Sequence, residues 1–577
     1  MMKRTVTACL AAAVLAGSLS AGCSRPEDWS DPAYIASMME VGEQRAFDEF
    51  TRLSPEQQAE VIPTLVDLYD KNFRRDAVVQ ALVQAADPAG RDVFMSALDE
   101  TDALAAQAAR GLAAIGDTAA ATAIAQRLAE VNSADAYAPF LEALMEIPTA
   151  AAGDVVAEML MRPAPRIGGV TTVRLGCRFL GTVEDPSDAA IDAMVFGLVN
   201  VIPEPYSDAL KDCELALVRH GDRAASSLLT LFRGENGEIN NHLRSLRYRP
   251  PFGQLYAAGV LSSIHNDATN AGLIEWFSTE HEVPFQELRQ MDEVDQSDWY
   301  NKHGQMFMWA TKALAYRGSE ADLATLRALE STEPEENLLS NFSGWFELSA
   351  GAEFGLRTAV HEGLGRIGTD EDRALLWSRA LEGTVTRGGE FFTYELRKNA
   401  LHNLGRTARP GELARYDEVY AAQPESQLLV QFAEQRAYFV LAEECGEDAA
   451  CYAGIFEDTA PVMNNESVTA ALAAVEDEAL RGQLTERFEV NARAGAAWQL
   501  ALRFGDQAIA GETLVANIGH SSLDTRLNIA EALRYVDTLP GDWRERLETW
   551  IEEDIENRGV PAQDYRHQLR LVLTSRS

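Results

Sequence analysis

The chain has 577 residues, with 89 acidic against 50 basic side chains and a formal charge of −39. Such a surface repels nucleic-acid phosphates and anionic headgroups, which argues against nucleic-acid binding and electrostatic docking on lipid. Hydrophobic residues make up 46% of the chain, ample for a core, and Ala and Leu dominate the periodic segments, a helical composition.

At the N-terminus, Lys3 and Arg4 precede an apolar run from Thr5 to Ala16, followed by Leu19, Ser20, Ala21, Gly22 and Cys23. A basic start, a short apolar stretch and small residues before a cut form a secretory signal, and the apolar run is too short to span a bilayer. The segment resembles a bacterial lipoprotein signal, although Leu19 lies one residue earlier than the usual Leu position, which Ser20 holds. The resemblance implies cleavage between Gly22 and Cys23, lipid on Cys23, and a lipid-anchored protein of the cell membrane or outer membrane. It would face the periplasm or the exterior. Residues 1–22 are then the signal peptide and 23–44 a lipidated tether.

From residue 45 onward a phrase recurs: an Ala-rich helix end, a Gly or Asp, a small polar group, then another apolar helix. Ala108-Ala109-Arg110-Gly111-Leu112-Ala113-Ala114-Ile115-Gly116-Asp117 is the clearest copy. Ala216–Asp222, Ala313–Ser319, Gly363–Asp370, Ala400–Arg406 and Ala501–Asp506 repeat it. Gly suits a left-handed helix end, and Asp, Ser or Thr caps the helix that follows. Small Ala and Gly positions allow close helix approach, and each hairpin must stack on the next. The pattern resembles the HEAT-repeat superfamily in its Ala-rich bacterial form. The resemblance implies an all-α fold, an α-solenoid of about 10–12 helical hairpins over 45–577.

Insertions lengthen the period near 234–251, 280–309, 333–354 and 383–392. They carry Arg244, Arg247 and Arg249, then Trp299, Tyr300 and Trp309, then Phe342, Trp345 and Phe346. Repeat insertions tend to share one face, and aromatic and Arg side chains are enriched at binding hot spots. These nine residues are therefore candidates for partner contact, with packing of the insertions onto the body as the competing reading.

An export signal permits disulfides. Cys177 and Cys213 lie about one repeat apart, so a bridge and two separate thiols both stay open. On one continuous helix the Cα atoms of Cys445 and Cys451 would be about 9 Å apart, too far to bridge. A turn at Gly446 removes that obstacle and predicts a disulfide between them.

No GxSxG, HExxH, Walker A or CxxC pattern occurs. Asp292, Glu293, Asp295 and Asp298 lack EF-hand spacing and read as a solvated face. The expectation is a membrane-anchored, non-catalytic scaffold or adaptor of the cell envelope, without cofactor or metal, binding protein partners over a concave solenoid surface. The alternative is a module using the aromatic insertions to bind a glycan, peptide or cation.

Overall fold

The computed structural model describes residues 28–576 except 132–133, 163–168, 201–207, 247, 249–250, 385, 387, 424–428 and 559–562. Cys23 and the segment expected to be a signal lie outside the described residues, as do Arg247 and Arg249. Among the described residues there is helix and no strand. None of these helices is long and apolar enough to cross a membrane. The chain forms two compact units, divided between Val155 and Val156.

The first unit begins earlier than the sequence suggested. Asp31 caps a helix, Pro32–Glu40, by accepting from the Ala33 N–H, and Pro32 occupies its first turn. That pairing is a helix start. The helix buries Tyr34, Ile35 and Met39 and packs on Pro55–Asp70, so much of the expected tether is part of the body. Hairpins then stack in sequence: Arg75–Ala85 packs on Asp102–Ala114, and that helix on Ala134–Glu146. Gly116 ends Asp102–Ala114 at φ +69°, the left-handed turn the recurrent phrase predicts. Arg91 pairs with Asp117 at 2.7 Å and Arg127 with Asp102 at 2.6 Å, tying neighbouring hairpins.

In the second unit an inner row of helices carries the architecture. Its members are α1 (Gly169–Thr182), α2 (Asp208–Arg219), α3 (Phe252–Leu261), α4 (Glu293–Arg317) and α5 (Ala350–Ile367). They continue with α6 (Gly389–Arg406), α7 (Glu478–Arg503), α8 (Leu523–Ala532) and α9 (Gln563–Ser575). Each packs on its predecessor in the row, and α9 packs on α2. The row therefore closes on itself, and an open concave groove is not what this unit presents.

Small residues permit the close approach of α4, α5 and α6. A Cβ on Gly363 would lie 2.6 Å from Ala315 Cβ, and one on Gly365 would lie 2.9 Å from Asn403 Cβ. Outer helices pair with the row and with each other; Arg327 holds Asp372 through two contacts of 2.7 and 2.9 Å. Ser319 and Thr369 each start an outer helix with a reciprocal capping box. The helix-ending glycine splits by position: Gly318 and Gly446 have φ +70° and +54°, whereas Gly368 is extended and Gly405 lies within α6.

Both cysteine pairs lie at disulfide distance. Cys177 and Cys213 join α1 to α2 with Cα atoms 4.9 Å apart. Gly197 leaves room for them, since a Cβ there would sit 2.8 and 2.9 Å from the two sulfurs. Cys445 ends helix Arg436–Cys445, Gly446 turns the chain, and Asp448 caps the helix containing Cys451, giving a Cα separation of 5.3 Å.

Candidate functional site

The inner row has two chemically distinct ends. At the N-terminal ends of α3 to α6 the insertions form a continuous belt. Tyr248 of the first packs on Phe252 at 4.7 Å, and Lys302 of the second lies 4.8 Å over the same ring. Trp299 and Trp345 stack at 4.6 Å, joining the second insertion to the third. Phe354 and Phe392, 5.1 Å apart, join the third to the fourth.

The aromatic candidates mostly hold this belt together. Trp299, Phe342 and Phe346 are buried, so they pack the insertions down and are not free to meet a partner. Trp345 donates its indole N–H to the His281 carbonyl at 3.2 Å, and Asn341 donates to the Phe277 carbonyl at 2.8 Å. His303 sits between Trp299 and Trp345, with ring separations of 3.9 and 4.3 Å. Burial outweighs its hydrogen bond to the Trp299 carbonyl and pushes its pKa down to about 3. Tyr300 is partly covered against the same cluster. Arg244 is exposed and contacts Asn241. The exposed large apolar side chains of the belt are others: Leu246, Tyr248, Phe285, Val294 and Phe391.

At the opposite, C-terminal ends of the inner helices, basic and aromatic side chains converge along the seam where the row closes. His265 stacks on Tyr316 at 3.3 Å. Tyr316 meets Tyr535 at 4.7 Å, and Tyr535 meets Trp498 at 5.6 Å. Cations interleave with this ladder: Arg534 lies 4.7 Å over Tyr316, Arg366 4.5 Å over Trp498, and Arg406 5.4 Å over Trp498. Trp309 belongs to this end too, with Lys312 5.1 Å over its ring. Cation–aromatic stacking adds to the ion pairs that Lys312, Arg366 and Arg406 make with Glu362.

Polar bonds lock the seam across long sequence separations. Tyr316 donates to the Arg534 carbonyl at 3.0 Å, and Arg366 donates to the Tyr535 hydroxyl. Glu214 of α2 binds His567 of α9 at 2.8 Å and accepts from Ser263 at 3.1 Å. Burial opposes the Glu214 charge, but His567, Ser263 and Arg534 together hold its pKa below the usual value. Glu362 is likewise held low against burial by Lys312, Arg366 and Arg406. Burial pushes the Tyr535 hydroxyl up to about 12, so it stays protonated.

The seam opens into a cleft of about 710 Å³ whose walls include Arg219, His265, Asn266, Tyr316, Arg534 and Arg576. Sequence reasoning missed this place although its signal lay inside the recurrent phrase. Arg219-His220, Tyr316, Arg366 and Arg406 all stand at or near the helix-ending position, before or beside the turn. Cations at that position ordinarily complement the helix dipole, which masked their second role. No group of three His, Cys, Asp or Glu side chains suited to a metal ion occurs among the described residues.

No family model matches the chain, and no curated protein matches its sequence. Several structures align with it, among them the following three. A homology model of the full-length AP-3 complex in an intermediate open conformation has 11% identity and a TM-score of 0.27, covering 94% of this chain and 96% of that one. A crystal structure of an engineered protein has 13% identity and a TM-score of 0.21, covering 79% and 99%. The karyopherin Kap121p bound to the SUMO protease Ulp1p has 10% identity and a TM-score of 0.25, covering 94% and 75%. Likeness at this level carries no functional argument, and the α-solenoid assignment rests on the stacking of this chain's own helices.

Proposed function

We propose that the protein is a non-catalytic scaffold of the bacterial cell envelope, held to a membrane by lipid on Cys23, and that its partner is a protein docking on the insertion belt. One observation carries the reading. The four insertions join side to side into one surface, and they hold five of the large apolar side chains left exposed: Leu246, Tyr248, Phe285, Val294 and Phe391. Val294 is 77% and Phe391 63% exposed. Apolar groups grouped on an otherwise acidic surface mark an interaction site.

The test is envelope cross-linking followed by affinity purification of the full chain. A partner recovered stoichiometrically with wild type should be lost with the double variant Phe285→Asp, Phe391→Asp, at unchanged helical content. Recovery equal to wild type would remove the belt from consideration. Cys23→Ala tests the anchor separately, and equal membrane retention of that variant with normal processing would refute lipidation.

A ligand-binding module is the second reading. The aromatic side chains it first rested on are engaged in packing, but the cleft at the closing seam is a specific observation in its favour.

A further inference from the structure

We propose that the cleft at the closing seam binds a small oxyanionic molecule, one carrying a phosphate or several carboxylates, with Arg219, Arg534 and Arg576 holding its acid groups. This cleft lies apart from the insertion belt, and its chemistry does not depend on a membrane anchor.

Charge provides the first support. In a chain with 89 acidic residues, three guanidinium groups wall one cleft and make no ion pair among the described residues. Arg219 is exposed at the rim. Arg534 spends its terminal nitrogen on His265 and its face on Tyr316. Among the described residues Arg576 donates to the carbonyls of Arg534 and Val536. The carboxylates lining the cleft, Asp222 and Asp537, are both exposed. Burial draws the pKa of Arg576 down, outweighing the attraction of Tyr316 and Asp537.

Unmet donors provide the second. Arg534 Nε and Asn266 Nδ2 are buried with no hydrogen-bond partner among the described residues. Buried donors are ordinarily satisfied, so these two ask for an acceptor. The helix Gly221–Phe232 also opens at the cleft, and His220 provides no side-chain cap to its first N–H groups. Guanidinium forks, an amide donor and an uncapped helix start together match an oxyanion, which accepts hydrogen bonds from every side. A volume near 710 Å³ suits a compact small molecule.

The experiment is isothermal titration of the full chain, purified in mild detergent at low ionic strength, with inorganic phosphate and with citrate as probes. Saturable binding of at least one anion is expected. Arg219→Gln should weaken it about tenfold, the worth of one charge-assisted hydrogen bond, and should leave unliganded thermal unfolding unchanged because the side chain is at the rim. Asp537→Asn should strengthen binding, an effect that misfolding does not produce. Tighter phosphate binding identifies a phosphate ester as the source of the acid group, and tighter citrate binding a polycarboxylate. Absence of saturation by both anions below about 10 mM, or equal affinity in Arg219→Gln and wild type, overturns the proposal.

Discussion

Lowering the pH should loosen the insertion belt through one histidine. His303 lies on α4 between Trp299 and Trp345, 4% exposed, with Nδ1 2.8 Å from the Trp299 carbonyl. Burial holds its pKa at about 3 against an ordinary 6.5. The unfolded chain therefore takes up this proton first. The neutral ring's contribution is complete above pH 6.5 and is lost progressively as the pH falls toward 3. At about pH 5 the linkage amounts to about 2 kcal/mol. Chemical denaturation of wild type and His303→Gln, at about pH 7.5 and about pH 5, isolates this term. The glutamine can keep a hydrogen bond to the Trp299 carbonyl, and every other titrating group is common to both proteins. Wild type should lose about 2 kcal/mol more than the variant between the two pH values. Equal losses would refute the burial argument.

Two further perturbations follow from buried chemistry. Glu330 is fully buried and contacts Arg379 at 2.7 Å, Arg357 at 3.1 Å and His361 at 3.4 Å. Burial opposes its charge, but His361, Arg357 and Arg379 prevail and hold its pKa at about 2. Glu330→Gln should cost about 3 kcal/mol in denaturant unfolding near neutral pH, because it leaves the largely buried Arg379 without its carboxylate while Arg357 keeps only Glu353. The same carboxylate should lose its contribution in wild type as the pH falls from 4.5 to about 2. For the cysteines, non-reducing mass mapping should recover two linked pairs, Cys177–Cys213 and Cys445–Cys451. Replacing the first pair by serines should cost about 4 kcal/mol and the second about 2, in proportion to the loops they close. Free thiols in protein from an oxidising compartment would contradict the pairing.

The helical repeat was legible because its punctuation is local. Gly116, Gly318 and Gly446 adopt left-handed turns, and Ser319 and Thr369 form capping boxes, all decided within a few residues. Gly405 was misleading, since its job is close packing: a Cβ there would meet the Tyr438 ring at 2.8 Å. The Gly446 turn between Cys445 and Cys451 was readable for the same local reason. The closing seam was not readable. It rests on pairs such as Glu214 with His567 and Arg366 with Tyr535, separated by 353 and 169 residues, and no local pattern encodes such partnerships. The insertions fell between these cases. The lengthened period located them along the chain, but composition does not separate a tryptophan that packs from one that binds. Trp299 and His303, one helical turn apart, were a hint of a shared buried face.

Closure of the second unit changes how that unit comes apart. A linear repeat array has ends, and each terminal repeat can peel away while the rest persists. With α9 seated on α2, the inner row from α2 onward has no such exposed terminus. Fraying must then begin by breaking the α2–α9 joint, after which helices on both sides lose a neighbour at once. Loss of the last helix should accordingly unsettle the beginning of the unit as much as its end. Assembly meets the mirror constraint. A chain made from its N-terminus cannot complete α2's surroundings until the final helix arrives, so the last step of folding is a contact between the most distant parts of the row, of the kind that makes folding slow.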